Sequence, residues 1–231
     1  MVIKAWYEAL VHVFYPSLCY GCNNELIQGD QYICLQCQTE MGRTYFESIR
    51  DNPVEKLFWG RADIQCAAST FYYIDKTPLQ QIVHQIKYRQ EKELGIHMGE
   101  IMGIHGTEFF TECKTDLCIP MPLHPKKEYK RGYNQASLLC EGIFKQTGIP
   151  YNEKALVRNE NTRTQTKKSR IERWKNVASV FDVIEPSIIN DKHVVVVDDV
   201  ITTGASTEAC VNMLLQHGAK TVGIYSLAFT L

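Results

Sequence analysis

Apolar residues along the chain recur with two different periods. Short runs rich in β-branched and aromatic residues read as strands: Ala67 to Ile74, Asp116 to Met121, Ala155 to Val157, Val194 to Val197 and Lys220 to Ala228. Between them, apolar positions repeat every three to four residues. Leu79, Ile82, Val83 and Ile86 mark a helix that starts at Thr77-Pro78 and ends near Arg89. Further helices are predicted over Glu91 to Phe110, over Lys130 to Gln146 and over TEACVNMLLQHG, which stops at Gly218. Within the first of these, Gly95, Gly99 and Gly103 share one face, a sign of close helix packing rather than ligand contact. Strands alternating with helices predict an α/β fold, a parallel sheet flanked by helices. The four successive valines from Val194 suit a strand covered on both faces.

At the N-terminus, Trp6, Leu10, Val13 and Phe14 predict an amphipathic helix ending near Pro16. Lys4, Glu8 and His12 interrupt that run, so it lacks the core of a signal peptide, and no stretch reaches membrane-spanning length. A cytoplasmic protein with reduced thiols is therefore expected. Residues 43–62 are mixed in polarity and contain Pro53. The expected organisation is an N-terminal helix and cysteine module over 1–50, a linker over 51–62 and an α/β domain over 63–231.

A hydrophobic fraction of 45% over 231 residues supports a real core and excludes disorder. With 25 basic and 26 acidic residues the chain has no global basicity that would announce nucleic acid. The local balance differs: Pro120 to Lys175 holds 13 Lys and Arg against 5 Glu. Such a segment is either a solvated face or the neighbour of a polyphosphate or nucleic-acid backbone, and in the latter case the interleaved Tyr129, Tyr133 and Trp174 are candidates to stack on bases.

Four of the nine cysteines form two CxxC pairs, Cys19 with Cys22 and Cys34 with Cys37. Each pair can place two thiolates on one metal, and two pairs complete a tetrahedral Zn²⁺ shell with no position left for water, so the zinc is structural. A redox CxxC would be a single pair opening a helix in a thioredoxin-like unit, which is not the context here. Cys66, Cys113, Cys118, Cys140 and Cys210 stand singly and are expected to be buried thiols.

The densest chemistry lies in Val194 to Thr207, VVVVDDVITTGAST. A loop of amides and hydroxyls leading into a helix N-terminus is an anion site suited to phosphate. Asp198 and Asp199, expected where the strand emerges, suit ribose hydroxyls or Mg²⁺. Neither the lysine-bearing P-loop nor the GxGxxG dinucleotide pattern occurs. The second informative junction, IPMPLHPKKEYKRGYNQA, has Pro120, Pro122 and Pro125 at a strand exit beside Lys126, Lys127, Lys130 and Arg131. It reads either as a pyrophosphate site or as a proline turn before a solvated basic helix. The polar stretch Val157 to Asn176 reads as a lid bringing Arg163, Lys167, Lys168 or Arg170 to a leaving pyrophosphate. Lys87, at a helix end, either reaches phosphate or faces solvent.

VVVVDDVITTGAST resembles the phosphoribosyl pyrophosphate (PRPP) motif of type I phosphoribosyltransferases. Together with CYGC, CLQC, IVHQIKYR, IPMPLHPKK, KRGYNQA and RTQTKKSRIERWKN in that order, it makes nearly the whole chain similar to the ComF/GntX family. The resemblance implies a type I phosphoribosyltransferase-like sheet preceded by a small four-cysteine zinc domain. It implies PRPP bound with Mg²⁺ through Val200, Ile201, Thr202, Thr203, Gly204, Ala205 and Ser206, with Pro122, Leu123, His124, Lys126, Arg131 and Lys87 on the other phosphates. Asp198, Asp199, Arg163 and Lys167 would be the catalytic groups. In transformable bacteria it implies a cytoplasmic role in single-stranded DNA uptake beside a ComFA-like helicase. Two alternatives stand beside that role: an active transferase of ribose 5-phosphate to a nitrogenous acceptor, and a zinc-stabilised adaptor.

Overall fold

The computed structural model of the protein describes residues 16–27, 29–159 and 180–230. The helix expected before Pro16 lies outside them, as do Arg163, Lys167, Lys168, Arg170 and Trp174. The strands among the described residues are Cys66–Tyr72 (β1), Leu117–Pro120 (β2), Leu156–Arg158 (β3), Phe181–Val183 (β4), His193–Ile201 (β5) and Thr221–Phe229 (β6). The helices are Leu35–Glu40 (α1), Pro53–Phe58 (α2), Pro78–Tyr88 (α3), Lys92–His105 (α4), Thr107–Glu112 (α5), Pro125–Arg131 (α6), Gln135–Thr147 (α7) and Ala205–Gln216 (α8).

One sheet runs in the order β1-β6-β5-β2 with every pair parallel, as the alternation of strands and helices predicts. Its central strands are buried on both faces: Val194 to Val197 and Val222 to Leu227 leave almost nothing exposed, Gly223 and Ser226 included. β3 and β4 pair antiparallel as a separate ribbon. Side chains alternate across β5, so Asp199 faces α3 and α7, which share a small cavity with it through Val83, Ile86, Gln135 and Leu139. Asp198 faces the other side, where α8 lies. No helix among the described residues is long and apolar enough to cross a membrane.

The structure corrects several boundaries. The helix expected over Glu91 to Phe110 breaks at Gly106, where the chain passes the buried Tyr225 so closely that a Cβ would sit 2.8 Å from its hydroxyl. The helix expected over Lys130 to Gln146 is two helices, because Gly132 adopts φ +82° and Asn134 caps a new start by accepting from Ala136 N–H. β5 runs four residues past Val197, since Asp198 to Ile201 keep their register with Ser226 to Phe229; sheet pairing overrides the poor strand preference of aspartate.

Residues 51–62, expected as a linker, carry α2 instead. Asn52 accepts from Val54 and Glu55 N–H, Pro53 occupies the first helical position, and Val54 and Phe58 are fully buried. The Pro53 that suggested a linker is the start of a packed helix. Cys66 and Cys113 are likewise not free thiols but a disulfide, joining the start of β1 to the end of α5. The fold brings together two cysteines 47 residues apart, which no spacing in the chain signals. Cys118, Cys140 and Cys210 are buried thiols as expected.

Candidate functional site

Two centres are built on this frame. In the N-terminal module, Cys19, Cys22, Cys34 and Cys37 offer sulfur atoms that all lie within 4.8 Å of one another. The Sγ atoms of Cys22 and Cys34 are 3.7 Å apart. Zn–S bonds of about 2.3 Å in a tetrahedron require S···S separations of about 3.8 Å, so this donor set fits Zn²⁺. Local turns make the arrangement possible. The backbone N–H groups of Gly21 and Cys34 each donate to Cys19 Sγ at 3.3 Å. Burial pushes that thiol up, but the backbone N–H bonds outweigh it and bring its pKa down to about 7. Gly21 must be glycine, because a Cβ there would stand 2.8 Å from Cys37 Sγ.

The second centre lies at the carboxyl ends of β5 and β2. β2 ends at Pro120 opposite Val197, and Met121 N–H donates to Val197 O at 2.8 Å, so β5 beyond that point borders a crevice. Open α/β sheets bind ligands at such strand ends. Asp198 and Asp199 sit there. Asp199 is only 8% exposed and its Oδ2 lies 2.8 Å from Lys87 Nζ at the end of α3. Burial, and then the neighbouring Asp199 charge, holds the Asp198 carboxyl well above the usual carboxylate range.

After Ile201 the chain turns through exposed Thr202 and Thr203 to Gly204, which adopts φ +70° and precedes α8. No side chain caps that helix start, which leaves the first-turn N–H groups aimed at the loop. α2 supports the loop from below: a Cβ on Gly204 would meet Phe58 at 2.9 Å. Arg61 donates to Thr203 O at 3.0 Å and pairs with Glu208 at 2.7 Å. These two supporting residues were missed in the sequence, where nothing links Arg61 to a loop 142 residues away.

Across the crevice, Pro122 is buried and Leu123 and His124 half-buried. His124 Nδ1 accepts from Lys126 N–H at 3.2 Å and so starts α6. Asn134 Nδ2 donates to Met121 O at 2.9 Å, fastening this exit to α7. Lys126 is exposed, and Arg131 bonds Gln135 and lies 5.8 Å from the Tyr88 ring centre. Of the two aromatics expected to stack on bases in the described region, Tyr129 is 94% exposed on α6, but Tyr133 is buried with its hydroxyl donating to Ile86 O. Tyr133 is therefore a core residue. Among the expected site residues that are described, the structure brings Lys87 to the aspartate pair and gathers the loop Val200 to Ser206 above it.

The raised pKa of Asp198 has a consequence for stability. The fold holds a proton that the unfolded chain releases near pH 4, so stability is full below that pH and falls as pH rises toward the folded value. Asp198→Asn is expected to flatten this fall: as pH rises from about 4, its melting temperature should change less than that of the wild type, followed by thermal circular dichroism with zinc in excess.

A family model described as the phosphoribosyl transferase domain matches residues 153–230. The DNA utilization protein YhgH of Salmonella typhi is 30% identical over 94% of this chain and 98% of its own length. Competence protein F of Haemophilus influenzae is 24% identical over 94% of this chain and 93% of its own. Competence protein ComFC of Bacillus subtilis is 26% identical over 91% of this chain and 83% of its own.

Proposed function

The chain belongs to the ComF family and carries its phosphoribosyltransferase-like domain, and from that premise we propose that it binds PRPP and acts in the uptake or cytoplasmic handling of single-stranded DNA. The observation that carries the PRPP reading is the juxtaposition at the crevice: an uncapped helix start behind Thr202 to Ser206, the Asp198 and Asp199 pair beneath it, and a basic helix opposite. In this reading the loop from Val200 to Ser206 takes the 5-phosphate. The two carboxyl groups take the ribose diol, Asp199 as the charged acceptor and Asp198, which carries the proton, as its hydrogen-bonding neighbour. Pro122, Leu123, His124, Lys126, Arg131 and Lys87 surround Mg²⁺-pyrophosphate, and Arg163 and Lys167 supply further positive charge for its departure. Asp198 and Asp199 are oxygen donors of the kind Mg²⁺ prefers, and when bound the ion would neutralise phosphate charge. The tetrathiolate holds structural zinc.

A role on DNA draws on a separate observation. Tyr129 projects into solvent beside exposed Lys126, Lys127 and Lys130, the pairing of stacking face and cations that single strands use. Relatives named for competence and DNA utilization support this role, and a ComFA-like helicase is the partner it calls for.

Calorimetric titration of PRPP with Mg²⁺ into the zinc-loaded protein tests the reading. We expect wild-type binding and at least a tenfold loss in the variant carrying both Asp198→Asn and Asp199→Asn, because charge-assisted bonds to ligand contribute about 1.5–3 kcal/mol each. Wild-type protein that ignores PRPP would leave the adaptor reading. Where PRPP binds, release of pyrophosphate on adding nitrogenous acceptors distinguishes a transferase from a sensor.

A further inference from the structure

We propose that the cationic cavity between α3 and α6 is a polyphosphate-anion site whose occupation draws Lys87 away from Asp199 and so arms the carboxylate pair. The inference rests on the PRPP reading of the crevice and adds a control to it. The cavity, about 290 Å³, is lined by Lys87, Tyr88, Gln90, Lys127, Lys130 and Arg131. No carboxylate lines it. That volume lies at the small end of ligand pockets, which suits a compact anion better than a whole nucleotide.

The four cations differ in what they touch. Among the described residues, Lys127 and Lys130 form no ion pair, and Arg131 contacts only neutral groups, Gln135 and the Tyr88 ring. Lys87 alone is shared: it lines the cavity while its ammonium holds Asp199 Oδ2 at 2.8 Å. A lysine has a flexible four-carbon stem and a rotatable point charge, so it can serve either side without moving its backbone. A diphosphate or phosphodiester group among three unpaired cations competes for the fourth through charge-assisted hydrogen bonds. Once Lys87 turns to it, Asp199 is a nearly buried carboxylate without its counter-ion. Such a group attracts a divalent cation or hydroxyl donors. By linkage, an anion in the cavity and a ligand on Asp199 each tighten the other.

The source of the anion is either a diphosphate, free or as part of PRPP, or the backbone of a DNA strand. The test is a double-mutant cycle read by calorimetry, with inorganic pyrophosphate and separately with an oligothymidylate, on zinc-loaded protein without added divalent cation. Asp199→Asn is expected to tighten pyrophosphate by about fivefold or more, the lower end of ordinary coupling between sites. Lys87→Met is expected to weaken it. In the Lys87→Met background, Asp199→Asn should add nothing. An equal gain in both backgrounds would mean mere through-space repulsion and overturn the exchange, as would wild-type protein that binds neither anion. A cycle that appears with the oligothymidylate and not with pyrophosphate supports the exchange and assigns the cavity to strand backbone. Lys87→Gln, which keeps a polar neighbour for Asp199, serves if the methionine variant fails to fold by circular dichroism. Failure of Mg²⁺-PRPP to bind while the cycle holds would remove the PRPP reading alone; PRPP binding with an additive cycle would remove this inference alone.

Discussion

Removing the metal from the tetrathiolate, by chelation or by Cys37→Ser, is expected to unfold the N-terminal module and to destabilise the protein more than any other single change considered. The module has little else to hold it. Its buried apolar groups among the described residues are few, Leu26, Ile33, Met41 and Phe46 beside the inward-facing Cys19 and Cys37. Small domains of this size need a staple, and structural zinc in comparable peptides contributes about 10–16 kcal/mol of apparent binding energy at neutral pH. The effect should spread beyond the knuckle, because the module docks on the sheet domain. Tyr20 donates to Glu91 at 2.9 Å, and the Tyr32 ring stands 5.1 Å from the His97 ring on α4. Metal analysis should find one zinc per chain. With a chelator present, limited proteolysis should cut within 16–45 first. A chain that contained no zinc and melted identically with and without chelator would refute the structural role.

The second large effect is expected at the contact of α4 with α7, where Gly99→Ala should lower the melting temperature and Gly99→Val should lower it further. The two helix backbones touch. A Cβ on Gly99 would lie 2.8 Å from Leu139 Cα and closer still to its carbonyl oxygen, while a Cβ on Gly142 would lie 2.5 Å from Glu100 N. Neither obstacle is the tip of a flexible side chain, so the helices must separate and loosen the packing of Leu94, Met98, Leu139 and Ile143. Overpacking of this kind costs about 1–3 kcal/mol and more when backbone must move, or roughly 3–10 °C for a chain of this length. Gly42→Ala is the matched control, since a Cβ there meets nothing nearer than Tyr72 at 4.0 Å. Because Asn134 at the start of α7 fastens the exit of β2, a shifted α7 should also weaken the proposed binding of PRPP. Equal melting of the Gly99→Ala and Gly42→Ala proteins would show that the contact yields without cost.

Some of this architecture was legible in the chain because it depends on neighbours in sequence. Two CxxC pairs fix four thiolates within reach of one metal wherever the rest of the protein goes. The valines from Val194 to Val197 can be satisfied only inside a sheet covered on both faces, and glycines four residues apart on α4 must share the face that meets α7. The loop after Asp199 carries small residues and a glycine at 204, the residue type that its φ of +70° favours.

What the tertiary structure alone decided depends on which strands became neighbours. The parallel order β1-β6-β5-β2 carries α3 over the end of β5, and so pairs Lys87 with Asp199 instead of leaving it to solvent. Packing against β1 and the loop before α8 turned an expected linker into the helix that supports that loop through Phe58 and Arg61, and the approach of α5 to β1 joined Cys66 to Cys113. Periodicity and ligand spacing are local and survive in one dimension. Charge pairing, disulfide partners and the supports of a loop are set by distances between segments far apart in the chain, which exist only after the sheet has chosen its order.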